Sequence, residues 1–181
     1  MRIRIITSPP SYDDAVRVLM ICKGNICRSP LAAAVLARLA DARGIAVEIR
    51  SAATEERTVG RAAHELARSV ASRHGYDLES HVARRAAVDD IEWADVIVVM
   101  DAENAARVAE LFGDTAKRKT LRLGSFDAAQ ADIRDPYSQS EAVFEETLAA
   151  IERACAIFLD SAAAPGRETT PVVTPLRERG S

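Results

Sequence analysis

The segment Cys22-Lys23-Gly24-Asn25-Ile26-Cys27-Arg28-Ser29-Pro30 stands between an apolar β-branched run, Val16 to Ile21, and an Ala/Leu-rich helical pattern, Pro30 to Ala42. A strand that is apolar almost throughout is covered on both faces, as strands of parallel sheets flanked by helices are. A loop leaving such a strand and entering a helix lies where open α/β sheets bind ligands. Gly24 allows backbone conformations denied to other residues, so successive N–H groups can turn inward and form an anion-binding nest. Pro30 suits the first helical turn, where its missing N–H costs nothing, and the free amides and dipole of that turn favour negative charge.

The same alternation continues along the chain. Further strands are expected at Ala46 to Ser51, Asp95 to Met100 and Thr120 to Leu123, with the first and third of the four central because they are the most apolar. Helices are expected at Gly60 to His74, Ala102 to Phe112 and Ser140 to Leu159. In the last, Phe144, Leu148, Ile151, Cys155, Phe158 and Leu159 recur at helical spacing, and Ser138 with Glu141 suits a capping box. The predicted fold is a single α/β domain with a central four-stranded parallel sheet flanked by helices and a phosphate-binding loop after the first strand. It is expected to occupy residues 16–160, with a loose extension over 1–15. The Pro-containing polar tail over 161–181 cannot bury enough surface to order itself.

Composition narrows the function. The 181 residues carry a net charge of −3, so no uniform positive field draws the chain to nucleic acid or to an anionic membrane, and any anion site must be local. Three cysteines, Cys22, Cys27 and Cys155, with no signal-peptide pattern argue against a secreted disulfide framework and for the cytoplasm. No apolar run approaches the roughly 18 residues needed to cross a bilayer. No cofactor and no metal are expected, because nothing groups His, Cys and carboxylates at ligand spacing.

A cysteine followed six positions later by an arginine, on a loop curled around one anion, brings both side chains to the same phosphate. Arg28 can grip two phosphate oxygens bidentately. Cys22 attacks only as a thiolate, and a helix dipole worth about 0.3 to 1 kcal/mol is insufficient to stabilise that anion. Loop amides, the Arg28 guanidinium and a hydroxyl such as that of Ser29 must supply the remainder. The segment is not a nucleotide P-loop, which needs Lys followed by Ser or Thr after its last Gly.

Cys22 to Pro30 resembles the signature loop of the low-molecular-weight protein tyrosine phosphatases. Ser51-Ala52-Ala53-Thr54, His74-Gly75, Ser80-His81-Val82-Ala83-Arg84, Val99-Met100-Asp101, Leu123-Gly124-Ser125-Phe126-Asp127 and Asp135-Pro136-Tyr137 follow in the family's order and approximate spacing. The resemblance implies phosphotyrosine hydrolysis through a phosphocysteine, with Cys22 as nucleophile, Arg28 as phosphate ligand and Asp135 as general acid and then base. Pro136 biases Asp135 toward extended geometry on a loop that can lean over the pocket. By the same resemblance, Lys23, Gly24, Asn25, Ile26, Cys27, Ser29, Arg57 and Tyr137 contact substrate, while Asn25, Ser29, Ser51 and His81 form a shell supporting the loop. Cys27 matches a second loop cysteine that can pair reversibly with the nucleophile under oxidation. The implied partner is a phosphotyrosine-bearing protein, and the favoured state a monomer.

Two departures bear on specificity. Arg57 stands where the family's pocket wall usually carries an aromatic, and Arg61-Ala62-Ala63-His64 replaces an Asn-Pro-Pro-Asp-like stretch; Tyr137 remains, but the frequent second aromatic is Ser138. A protein arginine phosphatase of the same fold is the nearest alternative, although threonine rather than Ile26 typifies that specificity. An arsenate reductase relay lacks its separate cysteine pair, since only Cys155 lies outside the loop. A binding-only module would not retain both Cys22 and Asp135.

Overall fold

The structure is a computed structural model that describes residues 15–163. Four parallel strands, β1 (Val16–Cys22), β2 (Val47–Ala53), β3 (Val96–Val99) and β4 (Thr120–Arg122), form one sheet in the order β2-β1-β3-β4. The two most apolar strands are the central pair. Five helices connect and cover them: α1 (Arg28–Ala42), α2 (Glu65–Arg73), α3 (Val88–Trp93), α4 (Ala102–Lys119) and α5 (Glu141–Ala163), with a 3₁₀ turn at Leu123–Phe126. The expectations for residues 1–14 and 164–181 lie outside the described residues.

Strand alternation explains why β1 and β3 read as continuous apolar runs. Val18, Met20, Val98 and Met100 point to the layer that holds Leu31, Val35 and Leu36 of α1 with Phe144, Leu148 and Ile151 of α5. Leu19, Ile21, Ile97 and Val99 point to the opposite layer, where Ile91 of α3 and Val108 and Ala116 of α4 close over them. Each face therefore has its own core, and both bury apolar area at about 25 cal/mol per Å².

Element boundaries differ from expectation at identifiable points. Helix α1 starts at Arg28, two residues before Pro30, so the loop's arginine and serine belong to the first turn. Helix α2 starts at Glu65 rather than Gly60, because His64 caps it by accepting the Leu66 N–H on Nδ1 at 3.2 Å. At Gly113, φ is +73°, where the expected helix ends, but helical geometry resumes and carries α4 to Lys119. The Ser138–Glu141 capping box does not form: Ser138 sits at φ +61° in a turn, and α5 begins three residues later with the Ser140 carbonyl accepting the Val143 N–H at 3.0 Å. The six-residue α3 went unpredicted, being too short to show a period.

Candidate active site

The loop leaves the C-terminal end of β1, between the ends of β2 and β3, and runs into α1. The N-cap of α1 is Cys27, with no side-chain cap and no acidic residue in the first turn, so the first-turn amides are not taken up by the chain's own carboxylates. Gly24 does not have a positive φ; the left-handed residue is Asn25, at φ 52°. What constrains Gly24 is space, since a Cβ there lies 3.1 Å from Thr58 Oγ1, which donates a 2.6 Å hydrogen bond to the Gly24 carbonyl.

Asn25 is fully buried and wired on every polar atom. Its Nδ2 donates to Ser29 Oγ at 2.9 Å and to Ser51 Oγ at 3.0 Å. Its Oδ1 accepts the Arg84 backbone N–H at 3.1 Å, and its carbonyl meets His81 Nε2 at 2.7 Å. The Arg84 amide can only donate, so the Asn25 side-chain amide is fixed with Nδ2 facing the two serines. Ser29 Oγ therefore accepts from Asn25, which leaves its own hydrogen for Cys22 Sγ, 3.1 Å away, when the sulfur is a thiolate. The Asn25 N–H reaches the same sulfur at 3.2 Å. Asn25, Ser29, Ser51 and His81 thus come together behind Cys22, and Ser51 occupies that place because β2 pairs residue for residue with β1 up to Cys22 and Ala53.

Arg28 is 2% exposed, and its guanidinium donates to Asp101 Oδ2 at 2.5 Å, Asp135 Oδ2 at 2.6 Å and the Ile133 carbonyl at 3.1 Å. Burial works against this charge, but Cys22, Asp135 and Asp101 outweigh it and hold Arg28 above its ordinary pKa. Asp101 accepts the Asn104 N–H at 2.6 Å and so caps α4 while it orients Arg28. Asp135 arrives on the 131–135 segment, which is fixed by the Ile133 N–H donating to the Met100 carbonyl at 2.7 Å. The segment packs so closely on Gly124 that a Cβ there lies 2.7 Å from the Ala131 carbonyl.

Cys22, Arg28 and Asp135 line one cleft together with Lys23, Gly24, Ile26, Cys27, Arg57 and Tyr137. Asn25 and Ser29, expected both to touch substrate and to support the loop, do not line it. Burial pushes the Cys27 thiol up to about 12, with Cys22 and Asp135 adding to the shift and Arg28 opposing it, so Cys27 is protonated beside the nucleophile position. Tyr137 is partly exposed and meets the ring of His64 edge-on, with centroids 5.8 Å apart; His64 in turn stacks on Phe144 of α5 at 5.1 Å. The His64 N–H also donates to the Ile26 carbonyl at 2.8 Å. Arg57 is exposed at the cleft, with no ion pair among the described residues.

Thr58 and Glu55 were not named from the sequence, and Asp101 and His64 were named only within a matching and a departing segment, with no role at the site. Asp101 did leave a signal: an Asp just beyond a central parallel strand and before a helix is both a cap and a candidate ligand contact. Among the described residues no group of His, Cys, Asp and Glu side chains could hold a metal ion, and no helix is long and apolar enough to cross a membrane.

Comparison with known proteins shows the family. The family model described as "Low molecular weight phosphotyrosine protein phosphatase" matches residues 17–168. The human protein of that name is 37% identical over 150 residues, covering 80% of this chain and 94% of the relative. Low molecular weight protein-tyrosine phosphatase A of Mycobacterium tuberculosis is 36% identical over 147 residues, covering 78% and 88%. The crystal structure of YfkJ from Bacillus subtilis superposes with a TM-score of 0.76 at 32% identity, covering 82% of this chain and 94% of that one. Matched along most of its length in sequence and fold, the chain belongs to the low-molecular-weight phosphotyrosine protein phosphatase family.

Proposed function

We propose that the chain hydrolyses phosphotyrosine in proteins through a phosphocysteine on Cys22. The observation that carries this reading is the convergence of Cys22, Arg28 and Asp135 on one cleft at the C-terminal end of a central parallel strand. The Cys22 thiolate, receiving hydrogen bonds from Ser29 and the Asn25 amide, attacks phosphorus. An S–P bond forms as the P–O bond to the tyrosine ring breaks. Asp135 gives its proton to the departing phenolate oxygen, and Arg28 with the loop amides meets the charge on the phosphoryl oxygens. Water then attacks phosphorus, the Asp135 carboxylate takes its proton, the S–P bond breaks, and inorganic phosphate leaves with the thiolate restored.

Tyr137 and the aliphatic Ile26 give the cleft apolar walls suited to a phenyl ring, which favours tyrosine over the phosphoarginine alternative. Arg57 at the rim suits a carboxylate on the substrate, at the several-fold level that exposed ion pairs reach. Cytoplasmic action is part of the same reading, supported by three cysteines that are all free, and a monomer is the state proposed with it. Cys22→Ser is expected to abolish turnover of aryl phosphates and phosphotyrosine peptides while retaining vanadate binding, because Arg28 and the loop amides survive the change. Intact turnover in that variant removes Cys22 as the nucleophile.

A further inference from the structure

Tyr137 is 40% exposed at the cleft, and a ring so placed must be ordered on binding unless something already holds it. His64 holds it, and its contacts reach past Tyr137. A chain of rings runs from the fully buried Phe144 of α5 through His64, stacked on it at 5.1 Å, to Tyr137, met edge-on at 5.8 Å. On its backbone side His64 donates its N–H at 2.8 Å to the carbonyl of Ile26, the other apolar wall of the cleft. The Tyr137 N–H in turn donates to Asp135 Oδ1 at 3.1 Å, so the segment whose ring His64 fixes is the one that carries the acid. Helix capping does not account for these contacts. His64 Nδ1 accepts the Leu66 N–H at 3.2 Å, but Asn, Asp and Ser are better N-caps and have no ring to stack. What the imidazole adds is a flat surface between a core aromatic and a wall of the cleft.

We infer that His64 is a positioning residue that sets the aryl selectivity of the cleft, holding Tyr137 as a preformed wall for the substrate's phenyl ring and tying that wall to Ile26. The inference rests on the phosphotyrosine reading and deepens it: Arg28 and the loop amides recognise the phosphate, and the wall that His64 fixes recognises the ring. A wall in place before substrate arrives needs no ordering on binding, which favours ligands with a ring and leaves bare phosphate unaffected. The fixed contact is expected to favour an arylphosphonate over inorganic phosphate by roughly 3- to 10-fold more than a free Tyr137 would.

The test is the ratio of the Kd of inorganic phosphate to the Kd of phenylphosphonate, each read from the protection the ligand gives Cys22 against iodoacetamide. Within one protein, changes in the anion site common to both ligands cancel. His64→Asn keeps a cap for the Leu66 N–H without a ring, and is expected to lower the ratio roughly 3- to 10-fold. His64→Asp, a second cap without a ring, should do the same. His64→Phe keeps a ring and loses the acceptor, and is expected to retain the wild-type ratio while melting at a lower temperature. In Tyr137→Ala the ratio is already low, and adding His64→Asn should lower it no further. Three results overturn the inference: a wild-type ratio in both His64→Asn and His64→Asp, a loss in His64→Phe equal to theirs, or an undiminished effect of His64→Asn in the Tyr137→Ala background. His64 is then a helix cap alone, and the phosphatase reading stands. If wild type leaves phenyl phosphate unhydrolysed, the phosphatase reading fails and takes the inference with it.

Discussion

Asn25→Asp separates the shape of the loop from the direction of its hydrogen bonds. The two side chains are isosteric, and an aspartate oxygen still accepts the Arg84 N–H that Asn25 Oδ1 accepts at 3.1 Å. The other oxygen, however, replaces a donor by a charged acceptor between Ser29 and Ser51. The Ser29 hydroxyl then turns its hydrogen to the new carboxylate and away from Cys22 Sγ, 3.1 Å off. A hydrogen bond to a charged group contributes about 1.5 to 3 kcal/mol, and the buried negative charge adds repulsion in the same direction. The thiolate is disfavoured, so alkylation of Cys22 by iodoacetamide at a fixed mildly acidic pH slows roughly ten- to a hundredfold. Ser29→Ala removes the same donor without adding charge and should give the smaller part of the effect. Thermal denaturation of both variants confirms that the rates refer to folded protein. An alkylation rate in Asn25→Asp equal to wild type would refute the derived orientation of the Ser29 hydrogen.

Three other outcomes are expected. Asp135→Ala slows aryl phosphate hydrolysis by roughly 10² to 10⁴, and less as the leaving group improves; equal losses across a leaving-group series assign the acid to another residue. Burial opposes the Asp90 charge, but Arg84, the Ala87 amide and Arg50 outweigh it and hold the carboxyl below its ordinary range. A lowered folded-state value means that this stabilisation is complete above about pH 4 and is lost as pH falls through that value. Melting temperature should therefore fall more steeply with acid in wild type than in Asp90→Asn, and parallel curves dismiss the claim. Gly124→Ala drives a Cβ to 2.7 Å from the Ala131 backbone and should cost about 1 to 3 kcal/mol in denaturant unfolding; because the displaced segment carries Asp135, turnover should drop as well, and a neutral result would show that the segment yields without cost.

The parts of this protein that could be read from its sequence are those in which neighbours in the chain are neighbours in space. Continuous apolar runs in β1 and β3 marked the sheet centre, and Cys22 and Arg28 met because one short loop contains both. Segment matches brought in Ser51, His81 and Asp135, but not the contacts that make them useful. Arg84 contributes through a backbone amide, which any residue possesses, and only the fold shows that this amide orients Asn25. Thr58 acts by reaching the Gly24 carbonyl across 34 positions. The assignment of the left-handed position to Gly24 failed because Asn25 tolerates φ 52° when its side chain is tied on both ends, so composition misplaces the residue that bends the loop. His64 read as a departure from a familiar pattern, whereas in space it joins α2, Tyr137, Phe144 and the loop.

The supports of Asn25 come from afar: Ser51 is 26 positions away, His81 56 and Arg84 59. Local hydrogen bonds from Ser29 alone do not hold a non-glycine residue in left-handed geometry with its amide aimed at sulfur. In folding terms the nucleophile is therefore assembled late, after β2 has paired with β1 and the 81–84 segment has closed against both, since loops of that length must pay their closure entropy first. Until then Cys22 lacks the donors that Ser29 and the Asn25 amide bring to its sulfur. Catalytic competence therefore depends on contacts made across the whole first half of the domain, and a chain stalled before they form holds the cysteine without its chemistry.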